Sequence, residues 1–297
     1  MAISSVKAVI NGSEYTLTLN ATSGKYEATI NAPSKSSFNQ TGGYYDVTVT
    51  AKDNAGNSTT VNSKDATLGS DLQLVVKEKV APIIANVSIA TGATLTNNTP
   101  DITWDVTDDD SGVNTSTLKI DGSVVTGVTK TAIVGGFKYS YTPTTALADG
   151  SHTIAIGASD NDGNDAAETS VTFKIDTTPP VLNVSEPVQD SYTNQTKINV
   201  VGVTNDVTSS PVTVEIGVNG VDAGAVTVAS DGSFTKEVTL KEGANTITVT
   251  STDKAGKAST VTRTVNLNTV APTIDSVELV PNPVDAGATY IIKVKVS

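Results

Sequence analysis

Apolar and polar residues alternate along most of this chain, most regularly between Glu242 and Pro272. Ile247 and Val249 alternate with Thr246, Thr248 and Thr250, so apolar side chains fall on one face and hydroxyls on the other. Asp253-Lys254-Ala255-Gly256 interrupts the run with turn residues, and Val261, Val265 and Leu267 resume it. Pro272 then marks a linker, because proline has no amide hydrogen for a sheet ladder. The stretch reads as two β-strands joined by a tight turn, then a passage into a new unit.

The pattern recurs twice upstream. Asp53-Asn54-Ala55-Gly56-Asn57 follows Val47 and Val49; Asp160-Asn161-Asp162-Gly163-Asn164 follows Ile154 and Ile156. In each copy the apolar pair lies six and four residues before the Asp, and a Gly lies three after it. The linkers Val80-Ala81-Pro82, Thr178-Pro179-Pro180 and Val270-Ala271-Pro272 keep step, their last prolines 98 and 92 residues apart. Short strands repeating at that length predict a string of β-sandwich domains. The expected divisions are 1–79, 80–176 and 177–269, with 270–297 as a two-strand segment. Short linkers with proline beside the first strand predict an elongated rod.

Strands are expected at 6–10, 15–19, 26–30, 45–51 and 72–76 in the first repeat, with loops at 32–43 and 61–70. In the second they are expected at 84–89, 101–106, 117–120, 137–141, 152–158 and 170–175. The third should carry 181–185, 197–203, 212–218, 225–228, 234–240, 245–250 and 259–267, and the tail 274–280 and 289–296. Asn11-Gly12, Asp121-Gly122 and Asn219-Gly220 are matching hairpin turns, since both positions tolerate positive φ. Ile102, Trp104 and Val106 share a face, which puts Trp104 in a core.

Composition sharpens the picture. Charged residues are 17% and aromatics 4% of 297, a strand-and-turn balance, and no long segment has helical periodicity. The net charge of −12 argues against nucleic acid and against an anionic membrane surface. With no cysteine there is no disulfide and no thiolate metal site. No segment approaches the ~20 apolar residues of a membrane span, so membrane insertion is not expected. The N-terminal Met1-Ala2-Ile3-Ser4-Ser5-Val6-Lys7 reads as a strand rather than a signal peptide.

The linkers TPPVLNV and VAPTIDSV, the segment SDGSFTKEVTLKEGANTITVTSTDKAGK, and its relatives DGSHTIAIGASDNDGN and DVTVTAKDNAGN resemble bacterial immunoglobulin-like repeats. The resemblance covers nearly the whole chain and implies an all-β protein of tandem immunoglobulin-like β-sandwiches. Such repeats serve as stalks of surface proteins, accessory domains of carbohydrate enzymes and parts of phage tails. The ending VELVPNPVDAGATYIIKVKVS resembles tails on proteins from phage and prophage tail regions. Resemblance of fold does not by itself fix function.

Acidic clusters are the best candidate chemistry. Asp108-Asp109-Asp110 follows the second strand of the middle repeat, and Asp160, Asp162 and Asp165 sit in its penultimate turn. In an immunoglobulin-like sandwich these loops share one end, near Glu78 of the incoming linker. Asp108, Asp110, Asp160 and Asp162 could together hold Ca²⁺, which takes six to eight oxygens. The plainer explanation, that Asp and Asn occupy turns for backbone reasons, is preferred, so no cofactor is expected beyond that calcium. Asp176, Asp206 and Asp253 are the analogous set in the third repeat, weakened by Lys254 and Lys257. His152, the single histidine, occupies the place of Asn245 and Tyr45; such variety predicts an exposed position. Tyr139 and Tyr141 share a face and could form a small glycan platform, or pack across strands. No nucleophile, base or metal constellation points to an enzyme.

The two ends of the chain look complementary. Pro82 to Gly122 and Pro180 to Gly220 each span 40 residues, which carry the first two strands of a sandwich. Only 11 residues precede Gly12, and 25 follow Pro272. The expectation is that tail strands bearing Ile274, Val277, Leu279, Tyr290, Ile292, Val294 and Val296 complete the first repeat of another subunit, head-to-tail. The alternatives are docking of the tail on another virion or surface protein, and ends that merely reflect where the chain was cut.

The sequence reading is a non-enzymatic structural protein, a fibre or decoration of a phage or phage-like tail, on a virion or extracellular surface. A cell-surface stalk or adhesin fragment, and an accessory carbohydrate-binding array meeting cell-surface glycans, are the alternatives.

Overall fold

The computed structural model describes residues 2–297. They fall into two compact units, 2–175 and Asp176–Ser297. Among the described residues the regular elements are strands, apart from two single 3₁₀ turns, Ser37–Asn39 and Gly69–Leu72.

The third repeat, in the second unit, shows the complete plan. One sheet runs Ser191–Thr193, Ala258–Leu267, Gly243–Thr252, Thr213–Val218, Val221–Asp222; because it contains the Asn219-Gly220 hairpin we call it the hairpin sheet. The facing sheet runs Val181–Glu186, Lys197–Asn205, Ser233–Thr239 and starts at the linker, so it is the linker sheet. Val200, Ile216, Ile247, Val249 and Val265 fill the space between them. The period-2 alternation seen in the sequence is what aims these side chains inward.

The second repeat, in the first unit, has the same two layers. Its hairpin sheet runs Ser123–Val124, Val113–Ile120, Gly150–Asp160, Thr169–Ile175, Thr94–Leu95; its linker sheet runs Thr129–Ile133, Gly136–Tyr141, Ile102–Thr107, Ile83–Ala85. Trp104 is fully buried, stacked on Tyr139 with ring centroids 5.5 Å apart, and donates Nε1–H to Ser116 Oγ at 2.9 Å. Tyr139 is therefore core, which favours cross-strand packing over a glycan platform for Tyr139 and Tyr141. The fold is all-β, a tandem of immunoglobulin-like sandwiches.

Register repeats along with sequence. Ala8↔Val49, Leu118↔Ile156 and Ile216↔Val249 are paired, each residue lying four before its hairpin Gly or its turn Asp. The hairpin turns have positive φ at both central residues: 48° and 76° at Asn11-Gly12, 49° and 80° at Asp121-Gly122, 52° and 77° at Asn219-Gly220.

Among the described residues the strands of the first repeat form only the hairpin-sheet layer. Its strands Ile3–Ile10, Ser13–Leu19, Tyr45–Asp53 and Ser58–Val61 form one sheet, with Tyr26–Glu27 at one edge and Gln73–Leu74 paired to Tyr45–Asp53. Val47 and Val49 stay partly exposed, whereas their counterparts Ile154, Ile156, Ile247 and Val249 are fully buried. Several expected strands are shorter than the alternation suggested. The 26–30 strand stops at Glu27; in the third repeat the matching strand, Ser233–Thr239, is laddered along Lys197–Asn205, and the first repeat offers no such partner among the described residues. At 72–76 only Gln73–Leu74 pairs, and at 225–228 only the bridge Val228↔Phe234 forms. Conversely, Thr129–Ile133 is a strand not foreseen, because its residues are exposed and carry no alternating core face.

In the second unit the tail forms a two-stranded antiparallel hairpin, Ile274–Val280 with Ile291–Val296. It pairs with no other strand among the described residues.

Candidate functional site

Two features distinguish this chain from a bare run of sandwiches: clustered carboxylates and an uncovered hairpin. The carboxylates come first. Glu78, Asp108 and Asp160 each bring a carboxylate oxygen within 4.8 Å of the others, and so do Asp176, Asp206 and Asp253. Each trio combines a linker residue, a residue after the second linker-sheet strand, and the Asp of the repeated turn.

Of the four residues expected to gather in the middle repeat, Asp108 and Asp160 do so, joined by Glu78. Asp110 faces the first repeat instead: both its oxygens lie 3.0 Å from Ser36 N–H, and Asn39 Nδ2 donates to Oδ1 at 2.5 Å. Asp162 Oδ2 accepts Glu78 N–H at 3.0 Å, leaving Oδ1 buried without a partner. Most oxygens of the trio are occupied locally. Asp160 accepts from Asn164 N–H and Nδ2 at 2.8 and 2.7 Å, Asp108 Oδ1 from Asp110 and Gly112 amides, and Glu78 Oε1 from Ser111 N–H. Asp53 in the first repeat is capped the same way, with Asn57 donating from N–H and Nδ2, both at 2.9 Å. The Asn57 side-chain hydrogen bond, opposed by desolvation, holds the Asp53 carboxyl below its ordinary range.

The third-repeat trio is different. Asp176, Asp206 and Asp253 are 0%, 7% and 6% exposed. Asp253 Oδ1 accepts Lys257 N–H at 2.9 Å, but a lysine side chain has no amide to cap the second oxygen, and Asp253 Oδ2 has no partner. Among the described residues neither Lys254 nor Lys257 forms an ion pair with any of the three. The expected weakening by Lys254 and Lys257 is thus not expressed as a salt bridge.

His152 is buried, 9% exposed, which corrects the expectation of an exposed position. Its Nδ1 lies 2.7 Å from Asp121 Oδ2 and its Nε2 2.7 Å from the Ala148 carbonyl. Burial opposes its charge, but the hydrogen bonds to Ala148 and Asp121 prevail and raise it above the usual histidine range. Asn245 does the same job in the third repeat: Nδ2 donates to Lys241 O at 2.6 Å and Oδ1 accepts Asn219 Nδ2 at 2.9 Å. Tyr45 ties its own loop by donating to Lys35 O at 3.1 Å. Three different side chains fasten the same loop, so their variety reflects different solutions to one task.

The second feature is the tail hairpin. Ile274 pairs with Val296, Leu182 with Thr204, and Ile84 with Val106; each pair lies 2 and 24 residues beyond its linker proline. The hairpin therefore shares this pairing with the first two linker-sheet strands, its bulge falling at Asp275 where that of the third repeat falls at Ser185. Counted from the same prolines, Ile292, Val294 and Val296 match Ile102, Trp104 and Val106. The latter three are 0% exposed; the hairpin residues are 57%, 50% and 54% exposed. Ile274, Val277, Leu279 and Tyr290 are exposed as well, at 68%, 59%, 41% and 50%. A lone two-stranded hairpin is marginal in water, and this one presents a core face with nothing on it.

Two family models agree with this architecture. The bacterial Ig-like domain family matches residues 88–177, and the family of glucodextranase domain B matches residues 180–269. Bacillopeptidase F of Bacillus subtilis (strain 168) is 30% identical over 153 residues, which are 52% of this chain and 10% of that protein. The chain thus spans about a tenth of that curated relative. Among solved structures, an I-band fragment of titin aligns over 89% of this chain and 87% of its own at 11% identity and TM-score 0.48. A 1.5-MDa bacterial ice-binding adhesin aligns over 90% of this chain and 88% of its own at 21% identity and TM-score 0.33. Architecture of this kind is typically non-catalytic. By its repeats and its fold, the chain is a tandem of immunoglobulin-like sandwiches, with its second and third repeats matching the bacterial Ig-like and glucodextranase domain B families.

Proposed function

We propose that this chain is a non-enzymatic structural protein that assembles head-to-tail, its tail hairpin completing the first repeat of a second copy. The observation that carries the reading is the pairing that the hairpin shares with Val181–Glu186 and Lys197–Asn205, combined with exposure of the residues that would be core. The receiving position follows from the third repeat. There Gly202, Val200 and Ile198 lie opposite Phe234, Lys236 and Val238. Phe234 and Tyr26 each lie 14 residues past the hairpin Gly of their repeat. Transferred on that count, Val294, Ile292 and Tyr290 of one copy lie against Tyr26, Ala28 and Ile30 of the next. The added strands would supply a ladder for residues 28–31 and cover Val47 and Val49, as in known strand addition. A heterologous contact of this type propagates as a filament unless it closes into a ring.

The setting we propose is a fibre or decoration of a phage or phage-like tail, on a virion, supported by the resemblance of the C-terminal segment. The match of residues 180–269 to glucodextranase domain B supports a second reading, an accessory array on a carbohydrate enzyme, which predicts glycan binding.

A single charge tests the assembly. Val294→Asp puts a carboxylate into the proposed buried ladder while leaving an exposed hairpin residue in the free chain. Sedimentation velocity of the wild-type chain at tens of micromolar should show oligomers growing with concentration, and the variant should sediment as a monomer with an unchanged circular dichroism spectrum. A wild-type chain that stays monomeric, or a variant that assembles equally well, overturns the proposal.

A further inference from the structure

We infer that Asp176, Asp206 and Asp253 form a calcium site in the third repeat. The inference is independent of how the chain assembles. Asp176 is fully buried with Oδ2 unpartnered, Asp253 is 6% exposed with Oδ2 unpartnered, and Ser209, 3% exposed, leaves Oγ unpartnered beside Asp206. Buried polar atoms are almost always satisfied, so orphaned carboxylate oxygens among three converging acids point to a missing positive ligand.

The chain holds these acids ready. Asp206 Oδ1 accepts Thr208 and Ser209 amides at 2.8 and 2.5 Å, Asp253 Oδ1 the Lys257 amide at 2.9 Å, and Asp176 Oδ1 the Thr178 amide at 3.3 Å. One oxygen of each carboxylate is thus fixed by its own loop, as outer-shell partners fix metal ligands. The trio's spread matches one ion: the ligand oxygens lie within 4.8 Å of one another, and Ca²⁺–oxygen bonds of about 2.4 Å place oxygens on opposite sides about 4.8 Å apart. The donors are all oxygen, which disfavours zinc, and three acidic side chains exceed the one or two that Mg²⁺ usually takes.

Lys257 is the residue that opens the site. In the first two repeats the matching Asn57 and Asn164 cap both oxygens of Asp53 and Asp160. Lysine leaves Asp253 Oδ2 free. The Glu78–Asp108–Asp160 trio, with Asp160 capped, should bind calcium more weakly, at least tenfold.

Calorimetric titration of the metal-free full chain with CaCl₂, beside thermal melts in EDTA and in 1 mM CaCl₂, tests the site. The wild type should show one dominant binding event and a higher melting temperature with calcium. Asp253→Asn keeps the oxygen that accepts the Lys257 amide but removes a charge. It should gain no melting temperature from calcium. Lys257→Asn should weaken the binding at least tenfold while leaving the metal-free fold intact. Absence of calcium heat and of a thermal shift in the wild type overturns the site. So does a calcium-induced shift that survives in Asp253→Asn.

Discussion

Replacing Trp104 by alanine should destabilise the second repeat by about 3–5 kcal/mol, the range for emptying a large aromatic site in a core. Trp104 is fully buried and central: it shares an inward face with Ile102 and Val106, stacks on Tyr139, and reaches Ser116 with its indole N–H. Alanine would lose the ring's burial, leave Tyr139 without its stacking partner and open a cavity that fixed strands cannot close. Ser116 Oγ would keep its bond to the Gly157 carbonyl at 2.9 Å, so the loss is one of packing more than of hydrogen bonding. Chemical denaturation of the whole chain should resolve a transition shifted to lower denaturant, with the third repeat's transition unmoved. A change below ~1 kcal/mol would mean that Trp104 is not the centre of this core.

Gly232→Ala should cost the third repeat about 2–4 kcal/mol, well beyond Gly220→Ala. Both glycines have positive φ, 83° and 77°, so both alanines carry the left-handed penalty. They differ in space. A Cβ on Gly232 would stand 2.1 Å from the Thr204 carbonyl oxygen, whereas a Cβ on Gly220 meets nothing within 4 Å. Relief requires the backbone at 204 to move, which strains the Thr204 N–H to Gly232 carbonyl bond of 2.9 Å. Thr204 Oγ1 also contacts Ser251 Oγ at 2.6 Å between the two sheets, so the disturbance reaches the core. Equal costs for the two substitutions would contradict this packing.

The layers were legible because a strand with one buried face must alternate, and because an Asx-rich turn recurs wherever two hairpin-sheet strands meet. Trp104 and the hairpin turns followed from those two rules. Strands at the edges did not. Thr129–Ile133 has no buried face, and residues 28–30 have the composition of a strand but lack a ladder partner in the isolated chain. The loop-fastening role of His152 was hidden because its counterparts are Asn245 and Tyr45, which share no chemistry beyond a polar tip that reaches a nearby carbonyl. The carboxylate trios were largely legible: the sequence placed Asp108 and Asp160 near Glu78 and grouped Asp176, Asp206 and Asp253, but only the fold turns Asp110 toward Ser36 and ties Asp162 to the Glu78 amide. Lys257 read as a charge that weakens a cation site; in the structure its backbone amide holds Asp253, while its side chain forms no ion pair among the described residues.

The central claim is that the tail hairpin of one copy enters the first repeat of another, and cross-linking tests it most directly because the chain has no cysteine of its own. In the third repeat Asn199 lies opposite Glu237. The matching positions are Ile291 in the hairpin and Thr29 in the first repeat. Two single-cysteine chains, Thr29→Cys and Ile291→Cys, should give a disulfide-linked heterodimer when mixed and mildly oxidised, because strand pairing brings their Cβ atoms within bridging reach. The double variant should give a ladder of covalent oligomers. Mixed chains that cross-link no more than either does alone, with a double variant that yields only monomer, would contradict strand exchange between copies.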